Sequence, residues 1–227
     1  MSTLVLLPKR HHSGDGYSVF RPEAERFVAK HDPAARVVEI EAIKMSGTAP
    51  IAEKRAETAK RRAATLAAFD GLDDLSTVAI FCHGWSTGMQ LGFDVRTVGR
   101  LAEAISSRVE YRQPAFVRVV LYSCSCGNGD ASGDGGFADA LRDALCRAGV
   151  TMCIVDAHTT VGHATQNPFV RRFEGRGSDV GGTGGAWIVA PGSPLWPKWR
   201  RALRTTSMRL DYPFLDVATV HNRLGLL

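Results

Sequence analysis

The chain is expected to fold as a three-layer α/β domain, with a mostly parallel sheet of about six strands and helices on both faces. Two patterns in the sequence lead there. Short apolar runs alternate with longer segments of helical periodicity, and the runs are apolar at nearly every position instead of at every second one. A strand that is apolar on both sides needs cover on both sides, which is the signature of parallel sheets sandwiched between helices. Composition agrees. At 227 residues, 44% hydrophobic and 22% charged, the chain can bury a sizeable core.

The elements follow in order. Residues 3–7 (TLVLL) form an apolar run closed by Pro8 and read as the first strand. Pro22 sits at the start of a helical stretch with Ala24, Phe27 and Val28 on one face. Residues 36–40 (RVVEI) read as the second strand. Residues 51–69 are rich in Ala, Glu, Lys and Arg and read as a long helix stopped at Gly71. Residues 77–81 (TVAIF) are the third strand, and 93–109 a helix with Val95, Val98, Leu101, Ile105 and Val109 on one side. Residues 116–122 (FVRVVLY) are the fourth strand, 137–147 a helix, and 151–155 (TMCIV) the fifth strand. Residues 174–185 hold six glycines and read as a mobile loop. Residues 186–190 (AWIVA) read as a sixth strand, before a Pro- and Trp-rich stretch and a short basic helix. One domain is expected over 1–227, with a core to about 173 and an irregular part beyond.

Charge and cysteine content narrow the functional classes. The net charge of +5 comes from no long basic block, and there is no nucleic-acid motif, so no nucleic-acid partner is expected. No apolar run approaches the ~18 residues of a membrane span, and the N-terminal segment does not read as a signal peptide, so no membrane partner is expected. Five cysteines cannot all pair within one chain, and their spacing is not that of a disulfide scaffold. A cytoplasmic, reducing location is the expectation. Trp187, Trp196 and Trp199 read as core or interface aromatics.

In open α/β sheets, ligand sites gather beyond the C-terminal ends of the strands. Two of the loops there carry chemistry. The third strand runs into Cys82-His83-Gly84-Trp85, and the fourth into Ser123-Cys124-Ser125-Cys126-Gly127. A cysteine nucleophile needs a neighbour that favours the thiolate, and imidazole is the usual one. Acyl transfer also needs oxyanion donors, here assigned to the N–H groups of Gly84 and Cys124. Cysteine is among the most buried residue types, so Cys82, Cys146 and Cys153 read as packing residues. In an extended strand Cys124 and Cys126 would share a face, so Cys126 is a candidate alternative nucleophile or resolving thiol. Asp156, at the end of the fifth strand, reads on its own as a turn or capping residue.

The segment TVAIFCHGWSTG resembles the strand ending in His-Gly of caspase-like (clan CD) cysteine peptidases. VVLYSCSCGNG, with the following GDGGFADALRDALCRAGV, is similar to the strand-Cys-x-x-Gly-helix block of the CHAT and separase branch. The resemblance spans roughly residues 77–175. It implies His83 as catalytic base, Cys124 as nucleophile, Gly84 as an oxyanion donor and a caspase-like sheet. It also implies a protein or peptide substrate, with a regulatory partner protein as a further expectation. Metacaspases and clostripain-like enzymes place an Asp two residues before the cysteine. Tyr122 stands there, so it becomes a candidate substrate contact without a preference for basic side chains. The resemblance also makes Asp156, with His158 close by, a candidate substrate contact, since related enzymes place substrate-pocket residues at the end of that strand.

Alternatives remain open at this point. Ser123-x-Ser125-x-Gly127 formally fits a serine nucleophile elbow, with Ser125 as nucleophile and Asp156 with His221 or His163 as partners. A catalytically inactive interaction module is the third reading. No cofactor and no metal are expected. Asp130, Ser132 and Asp134 follow the opening of a calcium loop, but position twelve would be Leu141 and not the bidentate Glu, so calcium is the minor alternative. Arg10, His11 and His12, after the first strand, and His163, Asn167, Arg171 and Arg172, after the fifth, are further polar residues of the same loops.

Overall fold

The computed structural model describes residues 1–9, 19–41, 46–109, 115–129, 136–161, 169–177, 185–189, 192–202, 204–205 and 217–225. In chain order the elements are β1 (Ser2–Pro8), α1 (Phe20–His31), β2 (Arg36–Ile40), α2 (Ile51–Ala67), β3 (Leu75–Phe81), β4 (Gly84–Trp85), β5 (Gly88–Met89), β6 (Phe93–Asp94) and α3 (Val98–Ser106). There follow β7 (Phe116–Tyr122), α4 (Gly136–Arg147), β8 (Met152–His158), β9 (Val170–Arg176), β10 (Ala186–Trp187), α5 (Trp196–Ala202) and α6 (Val217–Arg223).

The main sheet runs β2-β1-β3-β7-β8-β9-β10. The first five strands in that order are mutually parallel, and β9 and the two-residue β10 are antiparallel to their neighbours. Parallel neighbours force crossover connections, and the crossover helices supply the two outer layers. Alternation along each strand divides the core. Leu4, Leu6, Val78, Ile80, Val119, Leu121 and Val155 face one side, where Leu101, Ile105, Leu141 and Leu145 of α3 and α4 cover them. Val5, Leu7, Ala79, Phe81, Val120 and Tyr122 face the other, against Phe20, Ala24 and Phe27 of α1. A third cluster, Val170, Ile188, Val189, Trp199 and Val220, joins α5 and α6 to β9. The architecture is therefore the three-layer α/β class with a mostly parallel sheet.

Four expectations need correction. The sixth long strand is β9, and 186–190 contributes only the two residues of β10. Consequently Glu174, Gly175 and Arg176 lie in a strand and not in a glycine-rich loop. β9 reads VRRFEGR, with two apolar residues. Its buried Arg172 is matched by Asp156 directly across from it, so hydropathy gave no signal. The helix expected from residue 93 starts at Val98, because Phe93 and Asp94 pair with Met89 and Gly88 in a small three-stranded sheet. Finally, β8 continues through His158, which puts Asp156 inside the strand and not at its end.

Candidate active site

β3 and β7 are neighbours, and their register pairs Phe81 with Tyr122. His83 and Cys124 each lie two residues further along, so the two loops leave the sheet side by side at the same level. One step earlier, Cys82 Sγ and Ser123 Oγ are 3.2 Å apart in a buried contact. Alternation carries Cys82 into the core beneath α3 and α4. It carries the His83 ring to the opposite side, where Phe20 of α1 meets it edge-on at 5.1 Å between centroids. His83 itself is exposed.

Gly84 is the residue that lets the loops touch. A Cβ built there would lie 2.6 Å from Cys126 Sγ, 2.7 Å from the Cys124 carbonyl oxygen and 2.8 Å from Ser123 Cβ. Two of these neighbours are fixed by backbone, so no side chain fits without moving the loop. Gly84→Ala is expected to destabilise the fold by about 1–3 kcal/mol through overpacking. It should also remove whatever activity depends on the juxtaposition, as chemical denaturation and a turnover assay on one preparation would show.

Beyond β7 the chain turns and does not stay extended. The Ser125 backbone sits at φ 58°, and Asn128 N–H donates to the Ser125 carbonyl at 3.0 Å. The left-handed residue separates the two thiols that an extended strand would place on one face. Cys124 remains partly accessible. Cys126 is fully buried, with its sulfur 3.5 Å from the Gly88 carbonyl oxygen. The turn is fastened on three sides. Ser125 N–H donates to Thr160 O at 3.3 Å, Gly127 N–H donates to His158 O at 2.8 Å, and Ala138 N–H at the start of α4 donates to Cys126 O at 2.8 Å. Gly127 allows the approach to β8, since a Cβ would lie 2.9 Å from the Ala157 carbonyl oxygen. The Ser125 and Gly127 amides are thus committed to Thr160, just beyond β8, and to His158 at its end, and neither can serve an oxyanion.

Burial sets the thiols apart. It pushes the Cys82 thiol up to about 11, against a partly opposing hydrogen bond from Ser123. It pushes Cys126 well above the ordinary range and Cys153 up to about 12. Cys146, also buried, lies 4.0 Å from Cys153 between sulfurs. No disulfide links the five cysteines. Because the thiolate is the reactive form, iodoacetamide at neutral pH is expected to modify Cys124 well before the other four. Peptide mapping checks the order, and earlier labelling of Cys126 would contradict it.

The remaining sequence candidates fall elsewhere. Asp156 is fully buried and gripped by Arg172: Nε lies 2.8 Å from Oδ1 and Nη2 3.2 Å from Oδ2. Burial pushes the Asp156 carboxyl up, against the pull of Arg172 and, more weakly, Arg118. This carboxylate, a candidate substrate contact in the sequence, ties β8 to β9 through Arg172. Tyr122 and His158 are buried as well. Tyr122 stacks on Phe81 at 4.4 Å, and its ring is 6.0 Å from that of His158. These rings pack the sheet face beside Asp156, where with Val170 they line a narrow pocket. Trp199 is fully buried, and the Trp196 ring packs tilted against Phe169 at 4.2 Å between centroids. Arg10, His11, His12, Asp130, Ser132, Asp134, His163 and Asn167 lie outside the described residues, as does the side chain of His221. Among the described residues no cluster of three His, Cys, Asp or Glu side chains could hold a metal, and no helix is long and apolar enough to cross a membrane.

Sequence reasoning missed Gln90. Its Oε1 accepts the His83 N–H at 3.2 Å, and its own N–H donates to the His83 carbonyl at 2.9 Å. No local motif marks such a residue; its only sequence signal is a lone amide among the apolar Met89, Leu91 and Phe93. No protein-family model matches the chain, and neither does any curated protein or solved structure.

Proposed function

We propose that the protein is a caspase-like cysteine endopeptidase using a His83/Cys124 dyad. The observation that carries this reading is the fit of Gly84 against the Cys124 turn. It sets an exposed histidine and a partly accessible cysteine on adjoining loops at the C-terminal edge of neighbouring parallel strands. His83 takes the proton of the Cys124 thiol, and the sulfur attacks the scissile carbonyl carbon. The carbonyl electron pair moves to oxygen, where the N–H groups of Gly84 and Cys124 receive it. Collapse expels the amine, which takes the proton from His83, and leaves a thioester. Water then attacks with His83 as base, releasing the carboxylic acid and restoring the thiol. The substrate is a protein or peptide. The absence of any disulfide among five cysteines suits a reducing, cytoplasmic setting.

The test is cleavage of a mixed peptide library followed by mass spectrometry. The wild-type chain should generate new termini that Cys124→Ser does not. Equal cleavage by both would overturn the assignment.

One observation favours a second reading, a serine hydrolase. Ser125 has the positive φ of a strained nucleophile turn. Against it, α4 begins only at Gly136, eleven residues on, whereas an elbow leads directly into its helix. Asp156, its proposed acid, is held by Arg172. Fluorophosphonate labelling of Ser125 would establish this alternative.

A further inference from the structure

We infer that Gln90 and Phe20 are positioning residues that together fix His83 for its work on Cys124, an inference that rests on the dyad reading above. His83 is exposed, and an exposed side chain on a loop has several rotamers open to it. Two contacts fix its place, one on its main chain and one on its ring. On the backbone, Gln90 closes a reciprocal pair: its Oε1 accepts the His83 N–H at 3.2 Å and its N–H donates to the His83 carbonyl at 2.9 Å. On the ring, Phe20 lies 5.1 Å away at an interplanar angle of 79°.

Both partners are themselves rigid. Phe20 is 5% exposed and packs in the α1 core with Phe27 and Phe81. Gln90 is 7% exposed, between Met89 and Leu91, and a buried amide is retained only where its hydrogen bonds are made. Helix α2 anchors its segment. Arg61 Nη1 donates to Gln90 O at 3.3 Å, Thr65 Oγ1 to Leu91 O at 3.3 Å, and Arg62 Nε to Gly92 O at 2.7 Å. Gly92 permits this close approach, since a Cβ there would be 2.7 Å from the Thr58 carbonyl. The base of the dyad is thereby held from two helices, α1 through its ring and α2 through its main chain. Misplacement of a catalytic group by ~1 Å can lower a rate by ~10²-fold, so such a clamp is the expected companion of a histidine on a loop.

The experiment compares two pairs of variants in the full chain. Gln90→Leu removes the acceptor at similar volume and Gln90→Glu keeps it; Phe20→Leu removes the aromatic ring and Phe20→Tyr keeps it. For each, kcat and KM for peptide hydrolysis and the pH profile of Cys124 alkylation are measured. The two leucine variants should lose about tenfold or more in kcat with KM little changed, and their alkylation profiles should move toward that of His83→Ala. The Glu and Tyr variants should stay within about threefold of wild type. Leucine variants that keep the wild-type kcat and profile, while His83→Ala changes both, would overturn the positioning role alone. A His83→Ala profile identical to wild type would overturn the dyad itself, and the positioning role with it. If the leucine variants fail to fold, the wild-type protein decides: cross-relaxation between the Phe20 and His83 ring protons in solution supports the clamp, and its absence overturns it.

Discussion

Replacing Cys124 with alanine is expected to remove peptide hydrolysis altogether, and replacing His83 with alanine to lower it by about 10²–10⁴-fold, the range for loss of a positioned general base. The two variants differ because of what each leaves behind. Without Cys124, the fully buried Cys126 sulfur is the nearest thiol along the chain, but burial holds it protonated and faces it toward Gly88. Without His83 the nucleophile survives but must ionise unaided, so residual activity should climb as alkaline pH supplies thiolate. Kinetics from pH 6 to 10 distinguish the cases. Activity in Cys124→Ala would move the chemistry to another residue, and a His83→Ala variant with wild-type rates would remove the base from the mechanism.

The second large effect lies away from this loop pair. Arg172→Ala is expected to destabilise the fold by about 3–5 kcal/mol, because it leaves the carboxyl of Asp156 buried without its bidentate partner. Arg118, another cation near it, pulls the carboxyl down more weakly than Arg172 does. The deficit should depend on pH. Burial already raises the Asp156 carboxyl in the wild type, and losing Arg172 raises it further. A carboxyl raised in the folded state adds stability that is present below the unfolded pKa of ~3.9 and is lost as pH rises through the folded value. The gap between variant and wild type should therefore narrow as pH falls from 7 toward 5. Replacing Asp156 and Arg172 together with apolar residues of similar volume should recover much of the loss. Urea unfolding at the two pH values measures all three variants, and a single variant within about 0.5 kcal/mol of wild type would show the pair to be dispensable.

The contrast between these two regions explains what the sequence could disclose. β1, β3, β7 and β8 announce themselves as apolar runs, because each is covered on both faces and hydropathy reports burial where it is apolar; β2, at the sheet edge with Val37 exposed and only Ile40 fully buried, gives a shorter run. β9 was illegible for the converse reason. Its Arg172 is buried by charge pairing with Asp156, and a pair that meets across strands has no local pattern. The β4–β6 sheet went unread because each strand has two residues, too few for a period of two to emerge. His83, Gly84 and Cys124 were legible as chemistry at strand ends. The separation of Cys124 from Cys126 was not, since it depends on the left-handed backbone of Ser125, a conformation serine seldom advertises.

The most direct measurement is to treat the protein with a peptidyl acyloxymethyl ketone, which traps an activated cysteine, and to map the adduct by mass spectrometry. One adduct is expected, on Cys124, that forms in the wild type, slows sharply in His83→Ala and is absent in Cys124→Ala. An adduct on Cys126, or labelling of Cys124 at the same rate with and without His83, would contradict it.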